Sequence, residues 1–574
     1  MKSARLLFRV LLAMVLVLPF YSYSQSKKII SNSGAPSNTV QIPHLEKQGT
    51  AIRLNVDGKP FLLISGELHN STAGGFKYMK PVWKKLAAKN LNSVIATVSW
   101  ELIEPVEGKF DFALVDSTIS GAREANLKLV LIWFGSWKNA SSVYIPSWVK
   151  KDYEKYPRVK DEQGKPLEIL STFGTASVEK DAKAFAALMR HIKEVDGQQH
   201  TVVMMQVENE VGILDHLGET PGNARRDFTE QANVVYKGAV PMELIKYLEE
   251  KKALLFPELY KVWKENGSKT SGSWEEVFGK SKFMPDAKDW KFYSYYTEEL
   301  FMAWNYASYI GKVAAAGKKE YPIPMYVNAW LKQPDTYWSG RYPSGCPHPQ
   351  VLDVWRVAAP AIDFIAPDIY TDEFIWTCQE FTRSHNPLFI PETRGGKLGA
   401  ARVFYTIGEY SASCFAPFGI DNASYATNDP LDESYAALRK MAPFILENQG
   451  KGTMRGILVD SVSPVQRFEL GDYIVEAKLS GRDKTNIGGG LIIQTDKQEF
   501  ICAGTALDMY FIPKNNSMRI GIDAVDEGDF ENGKWVAERR LNGDEVHAST
   551  YDGTGLVIPA QKVSIQKISL YHYK

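Results

Sequence analysis

Apolar and polar positions along the chain follow two alternating patterns. In some segments, such as 77–90, 179–195 and 290–317, apolar residues recur every three or four positions, as in an amphipathic helix. Between them lie short, nearly continuous apolar runs of strand length, at 61–68, 93–100, 127–135, 200–209, 323–330, 362–370, 387–393 and 412–419. Eight buried strands that alternate with helices predict the α/β class and a parallel (β/α)8 TIM barrel.

Both flanks of the barrel depart from this alternation. Apolar alternations on each side of Asp57-Gly58 predict a hairpin before the first barrel strand. From about residue 455, short alternating segments are separated by Gly, Asn and Asp, which indicates an antiparallel β-sandwich. We therefore assign residues 49–452 to a catalytic barrel and residues 453–574 to a smaller C-terminal β-sandwich domain, which is expected to brace the barrel rather than to bind polysaccharide.

The first residues have the features of a secretory signal. Lysine and arginine occur within the first nine positions, an apolar run fills 10–20, and small and polar residues follow. A signal peptide at 1–24 and an extended N-terminal arm at 25–48 are predicted, so the protein is expected to be exported to the periplasm or the extracellular space. No other run reaches the roughly 18 to 20 apolar residues of a membrane span, so membrane insertion is not expected.

Composition and motifs exclude several classes of function. Lys and Arg together number 67, as do Asp and Glu, so nothing in the formal charge favours nucleic acid. The acidic stretch at 523–534 fits a hairpin turn better than a calcium loop. No phosphate loop, dinucleotide motif or nucleophile-elbow serine occurs, so neither a metal nor a cofactor is expected. Four cysteines lack zinc-site spacing and are expected to be free buried thiols, although the first two could pair: Cys346, Cys378, Cys414 and Cys502.

The segment MMQVENEVG (204–212) carries the first candidate for chemistry. An apolar strand ends there and delivers Asn209 and Glu210 to the carboxyl end of a barrel strand, where barrel active sites form. Cleavage of a glycosidic bond needs a proton for the leaving oxygen, which a carboxyl group supplies, and a neighbouring Asn can bind the sugar 2-hydroxyl. Taken alone, an Asn-Glu pair that merely opens a loop is an alternative.

The segment NPLFIPETRGG (386–396) carries the second candidate. Here another apolar strand delivers Glu392, and Arg394 follows it with a charge that could keep the carboxylate ionised. A surface Glu–Arg pair is the alternative. If the carboxyl groups of Glu210 and Glu392 face each other at roughly 5 to 5.5 Å, a glycosidase retains the anomeric configuration, whereas roughly 6.5 to 9.5 Å indicates inversion.

Three segments in order resemble glycoside hydrolase family 35, the β-galactosidases. They are LLISGELHNS (62–71), NLNSVIATVSWELIEPVEGKFDF (90–112) and MMQVENEVG, and the second matches the family pattern through Trp100, Glu104-Pro105, Gly108 and Phe112. Together with the late sandwich, they look like a bacterial branch active on plant side-chain galactose. The resemblance implies Glu210 as the acid/base and Glu392 as the nucleophile.

The chain departs from the family pattern at several positions. Thr97 stands where the family often has Tyr, and Glu101 stands where it commonly has Asn. The family carries a glycone-binding Glu after the third strand, which is absent from the corresponding stretch 136–141. Glu67 replaces a smaller residue after the first strand and is assigned to substrate binding. These differences leave the glycone open, with galactose as the first choice.

Other candidates for substrate binding lie at strand ends. Asn209 is expected to bind the sugar, and Asn139 to contact the glycone through its amide. Trp137 and Trp330 could stack on sugar rings, and Tyr370 could orient the nucleophile, although plain packing is the alternative for all three. His69 is interpreted as structural and Asp368 as a loop cap.

These observations predict a retaining, exo-acting β-glycosidase, with terminal β-linked galactose of plant or host glycan oligosaccharides as the first substrate. An insertion at 213–290, between the fourth and fifth strands, is expected to narrow the site into a pocket. One alternative keeps the mechanism but changes the glycone to a β-glucosaminide, β-arabinoside or β-glucoside. Another is a non-catalytic glycan-binding protein on the same scaffold. The sequence does not define the oligomeric state.

Overall fold

The eight apolar runs form the eight parallel strands of one sheet in the computed structural model of this protein. The structure describes residues 41–214, 225–281, 290–291, 297–422, 429–480, 486–515, 517–550 and 553–574. The expected signal peptide at 1–24 and the first part of the expected arm lie outside these residues. Residues from Gln41 onward belong to one compact unit.

The strands are β1 His44–Gln48, β2 Ala51–Val56, β3 Lys59–Phe61, β4 Leu63–Ile64, β5 Ser93–Ser99, β6 Lys128–Lys138, β7 Arg158–Lys160, β8 Pro166–Leu170, β9 Val202–Asn209, β10 Met325–Trp330, β11 Phe364–Ile369, β12 Phe389–Thr393, β13 Cys414–Pro417, β14 Met454–Asp460, β15 Val465–Leu470, β16 Tyr473–Leu479, β17 Ile487–Asp496, β18 Glu499–Thr505, β19 Leu507–Pro513, β20 Arg519–Glu531, β21 Lys534–Arg540, β22 Val546–Thr550, β23 Gly553–Ile558 and β24 Ser564–Tyr573. The α-helices are α1 Phe76–Ala87, α2 Trp100–Ile103, α3 Ala113–Glu124, α4 Ser147–Lys151, α5 Thr175–Asp196, α6 Glu230–Lys237, α7 Met242–Lys251, α8 Pro257–Glu265, α9 Trp274–Phe278, α10 Thr297–Glu320, α11 Leu352–Ala358, α12 Phe374–Phe381, α13 Gly396–Tyr410 and α14 Pro430–Asn448. Short 3-10 helices lie at Thr72–Gly74, Lys252–Leu254, Pro349–Val351 and Arg383–His385.

The barrel consists of β4, β5, β6, β9, β10, β11, β12 and β13, its first to eighth strands. Neighbouring strands pair in parallel, and Glu67, just after β4, bridges to both Ile95 and Phe418 and so closes the ring. Apolar side chains from most of these strands, including Tyr326 and Phe389, fill the interior. The predicted (β/α)8 barrel is confirmed, and its near-continuous apolar strands are explained by burial on both faces.

The sequence around the barrel folds largely as its patterns indicate. Two left-handed residues, Asp57 and Gly58, join β2 to β3 in a two-residue hairpin, as predicted. Part of the expected arm, His44–Gln48, is a strand that pairs with β2. The four cysteines are free and buried. None of the described helices is long and apolar enough to cross a membrane.

The region after α14 is a two-layered β-sandwich. One antiparallel sheet has the order β14-β17-β18-β24-β20-β21, and the other has the order β15-β16-β19-β23-β22. A separate apolar core lies between them, with Phe500 from the first sheet and Phe511 from the second in contact. The acidic stretch at 523–534 forms the β20–β21 hairpin, with left-handed Asn532 and Gly533 at its turn. The predicted sandwich is confirmed, and the first sheet packs against the barrel helix α13.

Candidate active site

Glu210 lies immediately after β9, at the carboxyl end of the fourth barrel strand. Its backbone has a left-handed φ of 44°, as does that of Glu208 with a φ of 63°. The Glu210 amide donates to Asn328 Oδ1 at 2.9 Å, and its carbonyl accepts from the Ala140 amide at 2.9 Å. Non-glycine residues adopt this conformation at an energetic cost, so these bonds hold the backbone in the turn that aims Glu210 into the barrel mouth.

Glu392 lies within β12, near the carboxyl end of the seventh strand. Its side chain is buried, and the Tyr370 hydroxyl donates to Glu392 Oε2 at 2.8 Å. The Asn209 amide approaches Glu392 Oε1 at 3.5 Å. Two residues that the sequence assigned to substrate binding therefore orient this carboxylate.

The two glutamates meet across one cavity. Glu210, Asp368 and Glu392 each place a carboxylate oxygen within 4.8 Å of the others. The cavity has a volume of about 440 Å³, and it is lined by Asn70, Lys138, Asn139, Glu210, Trp330, Leu331, Gln333, Asp368, Tyr370, Thr371, Glu392 and Phe418. The arrangement offers a carboxyl group on each side of a space large enough for a sugar ring.

Burial shifts the proton affinity of the two glutamates. Removal from water, and secondarily the charge of Glu392, raises the pKa of Glu210 to about 8. Burial also raises the pKa of Glu392, but the Tyr370 hydrogen bond and the positive charge of Lys138 oppose the increase. Glu210 is therefore suited to hold a proton at neutral pH, while donors surround Glu392 and favour its ionised form.

Two further buried acids adjoin the pair. The pKa of Asp368 is well above its ordinary value, first because of burial and then because of repulsion by Glu392 and Glu210. The same causes, in the same order, raise the pKa of Glu67. Among the residues that the structure describes, neither Glu67 oxygen has a hydrogen-bond partner. Like charges at this separation disfavour simultaneous ionisation, so the cluster is expected to keep some of its protons.

Three carboxylate oxygens in this arrangement would suit a hard cation by number and type. A carboxyl group must lose its proton to bind a metal, however, and burial raises the pKa of Glu210, Asp368 and Glu392. The ammonium group of Lys138, on the cavity wall, already supplies positive charge to the pair. These three carboxyl groups are therefore better suited to share protons with one another than to bind a metal ion.

Trp137 and Glu67, which the sequence assigned to substrate binding, do not line the cavity. Trp137 does not line the cavity: its indole donates to the Leu170 carbonyl at 3.1 Å and its ring packs edge-on against Tyr306 and Tyr309. Glu67 is also absent from the cavity wall and lies buried next to the pair, where its backbone bridges to Ile95 and Phe418 as the barrel closes. By contrast, Asn139, Trp330 and Tyr370 line the cavity.

Two expectations about charge were wrong. Arg394 does not contact Glu392 but lies 3.8 Å from Asp372 in an exposed pair, because the chain turns away from the barrel mouth after β12. Lys138 takes its place as the cation that acts on Glu392. Asp368, expected to cap a loop, is buried within the site and accepts a hydrogen bond from Asn328 at 2.7 Å.

Sequence reasoning missed Lys138 and Asn328 as members of the site. Both lie at or near the carboxyl end of a predicted barrel strand, and that position was the available signal. Asn328 links the acidic cluster internally, since it donates to Asp368 and accepts from the Glu210 amide. His69, interpreted as structural, lies 3.3 Å from Asp421.

The Trp100 motif has a structural explanation. The Trp100 indole and the Gly108 amide each donate to a different oxygen of Glu104, both at 2.7 Å. Gly108 has a left-handed φ of 77°, which favours glycine. The motif therefore closes the loop after β5 and leaves the chemistry to other residues.

The described part of the insertion between β9 and β10 does not reach the cavity wall. It contains α6 to α9, and none of its described residues lines the cavity. The rest of the insertion, 215–224 and 282–289, lies outside the described residues. Closure of the site by this insertion stays a prediction.

Comparisons with known proteins give short and distant relatives. The chain is 38% identical over 69 residues to the β-galactosidase of Xanthomonas manihotis, a match that covers 12% of this chain and 11% of that protein. It is 27% identical over 171 residues to β-galactosidase-1-like protein 3 of Homo sapiens, over 28% of this chain and 23% of the relative. The chain thus matches less than a quarter of the length of either relative.

Solved structures with a similar arrangement include two glycan-active proteins. The catalytic domain of β-amylase from Paenibacillus polymyxa has a TM-score of 0.44 and 14% identity, over 64% of this chain and 96% of that one. The β-galactosidase of Bacillus circulans sp. alkalophilus has a TM-score of 0.44 and 16% identity, over 67% of this chain and 57% of that one. The barrel itself is established by the strand pairing described above.

Family profiles match most of the chain after the first barrel strand. Residues 431–550 match a domain of unknown function, DUF5597. Residues 78–383 match the profile of glycoside hydrolase family 42, described as β-galactosidase; this range includes Glu210 and ends just before Glu392. The assignment from sequence motifs holds at the level of β-galactosidase-type glycosidases, whereas family 35 itself is not shown. The match covers more than half of the chain, which therefore belongs to glycoside hydrolase family 42.

Proposed function

We propose that the protein is a retaining, exo-acting β-galactosidase that removes terminal β-linked galactose from oligosaccharides of plant or host glycans. The observation that carries this proposal is the approach of Glu210 and Glu392, whose nearest carboxylate oxygens lie within 4.8 Å across a single cavity. A short separation of the two carboxyl groups supports direct attack by one of them rather than by a water held between them.

In the first half-reaction, Glu210 acts as the acid and Glu392 as the nucleophile. The Glu210 carboxyl group gives its proton to the glycosidic oxygen as the bond to the anomeric carbon breaks. Glu392 forms a bond to that carbon from the opposite face, which yields a covalent glycosyl-enzyme and a free alcohol. Tyr370 and Asn209, which contact Glu392, are placed to orient it for the attack.

In the second half-reaction, Glu210 is a carboxylate and acts as the base. It takes a proton from a water molecule, whose oxygen attacks the anomeric carbon and releases Glu392. The proton taken from water restores the acid form of Glu210. Burial and Glu392, which raise its pKa to about 8, keep that proton in place at neutral pH for the next cycle. Two inversions leave the product with the configuration of the substrate.

A change of glycone is a second candidate, favoured by the charge of the site. Four buried acids lie together, with Lys138 as a cation that acts on three of them: Glu67, Glu210 and Glu392. An amino sugar, as in a β-glucosaminide, would add positive charge to this cluster. Rates on aryl β-galactoside, β-glucosaminide, β-arabinoside and β-glucoside measure the preference directly.

The nucleophile assignment is tested by substitution of Glu392. Glu392→Gln keeps the shape of the side chain but cannot form the covalent ester, so turnover of an aryl β-galactoside should fall by more than about 10³-fold. Azide added to Glu392→Gly should restore turnover and give the α-galactosyl azide, identified by NMR.

The half-buried Glu320, which pairs with Arg190 outside the site, offers a matched control. Glu320→Gln makes the same chemical change and should keep the wild-type rate. Wild-type turnover in a folded Glu392→Gln protein would remove the assignment. Ligand-dependent melting of the wild-type protein without any product would instead indicate a glycan-binding protein.

A further inference from the structure

A second cavity adjoins the catalytic cavity at the barrel mouth. It has a volume of about 200 Å³, room for a ring-sized group rather than for one or two waters, which take about 30 Å³ each. The two cavities share Asn70 on their walls. The second one lies between the segment after β4, the end of β5 with α2, the start of α3 and Tyr144.

The wall of this second cavity combines hydrogen-bonding groups with aliphatic surface. The carboxylate of Glu101 forms an ion pair with Lys150 at 3.0 Å and remains partly exposed. Leu102, 43% exposed, offers an apolar surface at the same cavity. A sugar ring has both features that such a wall recognises, a rim of hydroxyl groups and an apolar face of C–H bonds.

The second cavity is also tied to the catalytic one by direct contacts. Thr97 Oγ1 donates to the carbonyl of Asn70 at 2.7 Å. Asn70, which both cavities share, is therefore positioned by a residue of the second cavity. Thr97, in β5, and Glu101, in α2, both line this cavity.

We propose that this cavity binds a second sugar unit of the substrate, a neutral ring covalently linked to the galactose in the catalytic cavity. The proposal rests on the proposed function. The same hydroxyl and C–H chemistry would serve a ring on the leaving side or a ring carried by the galactose itself. A ring on the leaving side agrees with the proposed removal of terminal galactose, whereas a ring on the galactose would replace the exo-acting part of that proposal. Recognition of two linked rings would make the protein selective for oligosaccharides over simple galactosides.

Gly74 provides a way to fill the second cavity without disturbing the backbone. Within the described part of the chain, a Cβ on Gly74 would meet only Leu102, at an ordinary contact distance of 3.8 Å, and both residues line the cavity. Gly75, its neighbour, is outside the cavity wall, has extended backbone and leaves open space around a Cβ. Gly74→Phe therefore fills the cavity, and Gly75→Phe is the matched control.

The experiment compares kcat/KM on three substrates. The first is p-nitrophenyl β-galactoside, which lacks a second sugar; the second is a disaccharide with the second sugar on the leaving side; the third is a nitrophenyl disaccharide whose galactose carries the second sugar. Gly74→Phe should lower the ratio of one disaccharide to the simple galactoside by about tenfold or more. Gly75→Phe should keep the wild-type ratio, and the disaccharide affected identifies the source of the second ring.

A second variant protects the test against misfolding. Glu101→Gln removes the charge from the wall and should lower the same ratio by about threefold to tenfold. Wild-type ratios on both disaccharides in folded Gly74→Phe and Glu101→Gln proteins would overturn the inference.

If the wild-type protein hydrolyses no galactoside, the proposed function fails. Calorimetric titration with the same two disaccharides then tests whether the second cavity binds a sugar, independently of turnover. Affinity lost in Gly74→Phe but kept in Gly75→Phe supports a second sugar position, and equal affinities reject it.

Discussion

At the scale of single residues, the chemistry depends on how Glu210 is held. Its left-handed backbone turns the side chain into the barrel mouth, where burial and then Glu392 raise its pKa to about 8. An acid with its ordinary pKa would lose its proton well below neutral pH. The same desolvation that makes this group costly to bury therefore makes it useful as an acid.

The pH dependence of turnover tests this property of Glu210. The acid form is the reactive one and exists below its pKa, so kcat/KM on an aryl β-galactoside should fall as the pH rises through about 8. In Glu210→Gln, a dinitrophenyl β-galactoside, whose leaving group needs no proton, should react without this alkaline decline in kcat/KM. An alkaline limb that persists unchanged in the variant would assign the titration to another group.

At the scale of elements, β6 and β9 are joined below the site by a buried acid. The carboxylate of Glu208 accepts from the amides of Ser136 at 3.1 Å and Trp137 at 2.7 Å. Glu208 is two residues before Glu210. These hydrogen bonds therefore fix the end of β6 relative to the backbone that carries Glu210. A Cβ on Gly135 would collide with Trp133 Nε1 and with Glu208 Oε1, which explains the glycine in this strand.

Gly135→Ala should therefore disturb both stability and rate. The added methyl group must displace both Trp133 and Glu208, and overpacking of this kind costs about 1–3 kcal/mol. The melting temperature and kcat should both fall, because displacement of Glu208 changes the turn that holds Glu210. Gly74→Ala, where a Cβ meets only an ordinary contact, serves as the control for stability. A folded Gly135→Ala protein with the wild-type melting temperature would contradict the packing argument.

At the scale of the whole molecule, the sandwich and the barrel share a hydrophobic core. Leu491 and Ile493 of β17 belong to the same apolar cluster as the barrel helices. Glycines on the sandwich allow close approach to α13, since a Cβ on Gly489 would collide with the backbone of Ala401. Arg455 and Glu409 add a bidentate ion pair with distances of 2.8 and 2.9 Å. The helix α13 follows the strand that carries Glu392, so the sandwich braces an element next to the site.

Gly489→Ala should lower the melting temperature of the full chain. The methyl group would push the sheet away from α13, at a cost of about 1–3 kcal/mol. Gly543→Ala is the matched control, because a Cβ there approaches only the end of the flexible Glu545 side chain. Equal melting temperatures of the two variants would show that the sheet can move away from α13 without loss of stability.

The local signals in the sequence were sufficient for the strands and for the two glutamates. Apolar runs and strand ends are properties of neighbouring residues, so the eight strands and the positions of Glu210 and Glu392 could be predicted from them. Side-chain direction was harder to predict. Trp137 ends in the core and Arg394 points away from Glu392, because packing against distant helices and the path of the following loop decide these orientations.

The order of strands and helices, the sandwich, and the carboxylates that end the fourth and seventh strands all follow from short-range periodicity along the chain. The folded barrel is needed to bring Asp368 and Lys138 to those carboxylates, to bury Glu67 beside them rather than on the cavity wall, and to open a second cavity next to Asn70. Closure of the barrel brings residues from distant parts of the chain to one mouth, and removal of water there sets their proton affinities. No pattern along the chain records either effect.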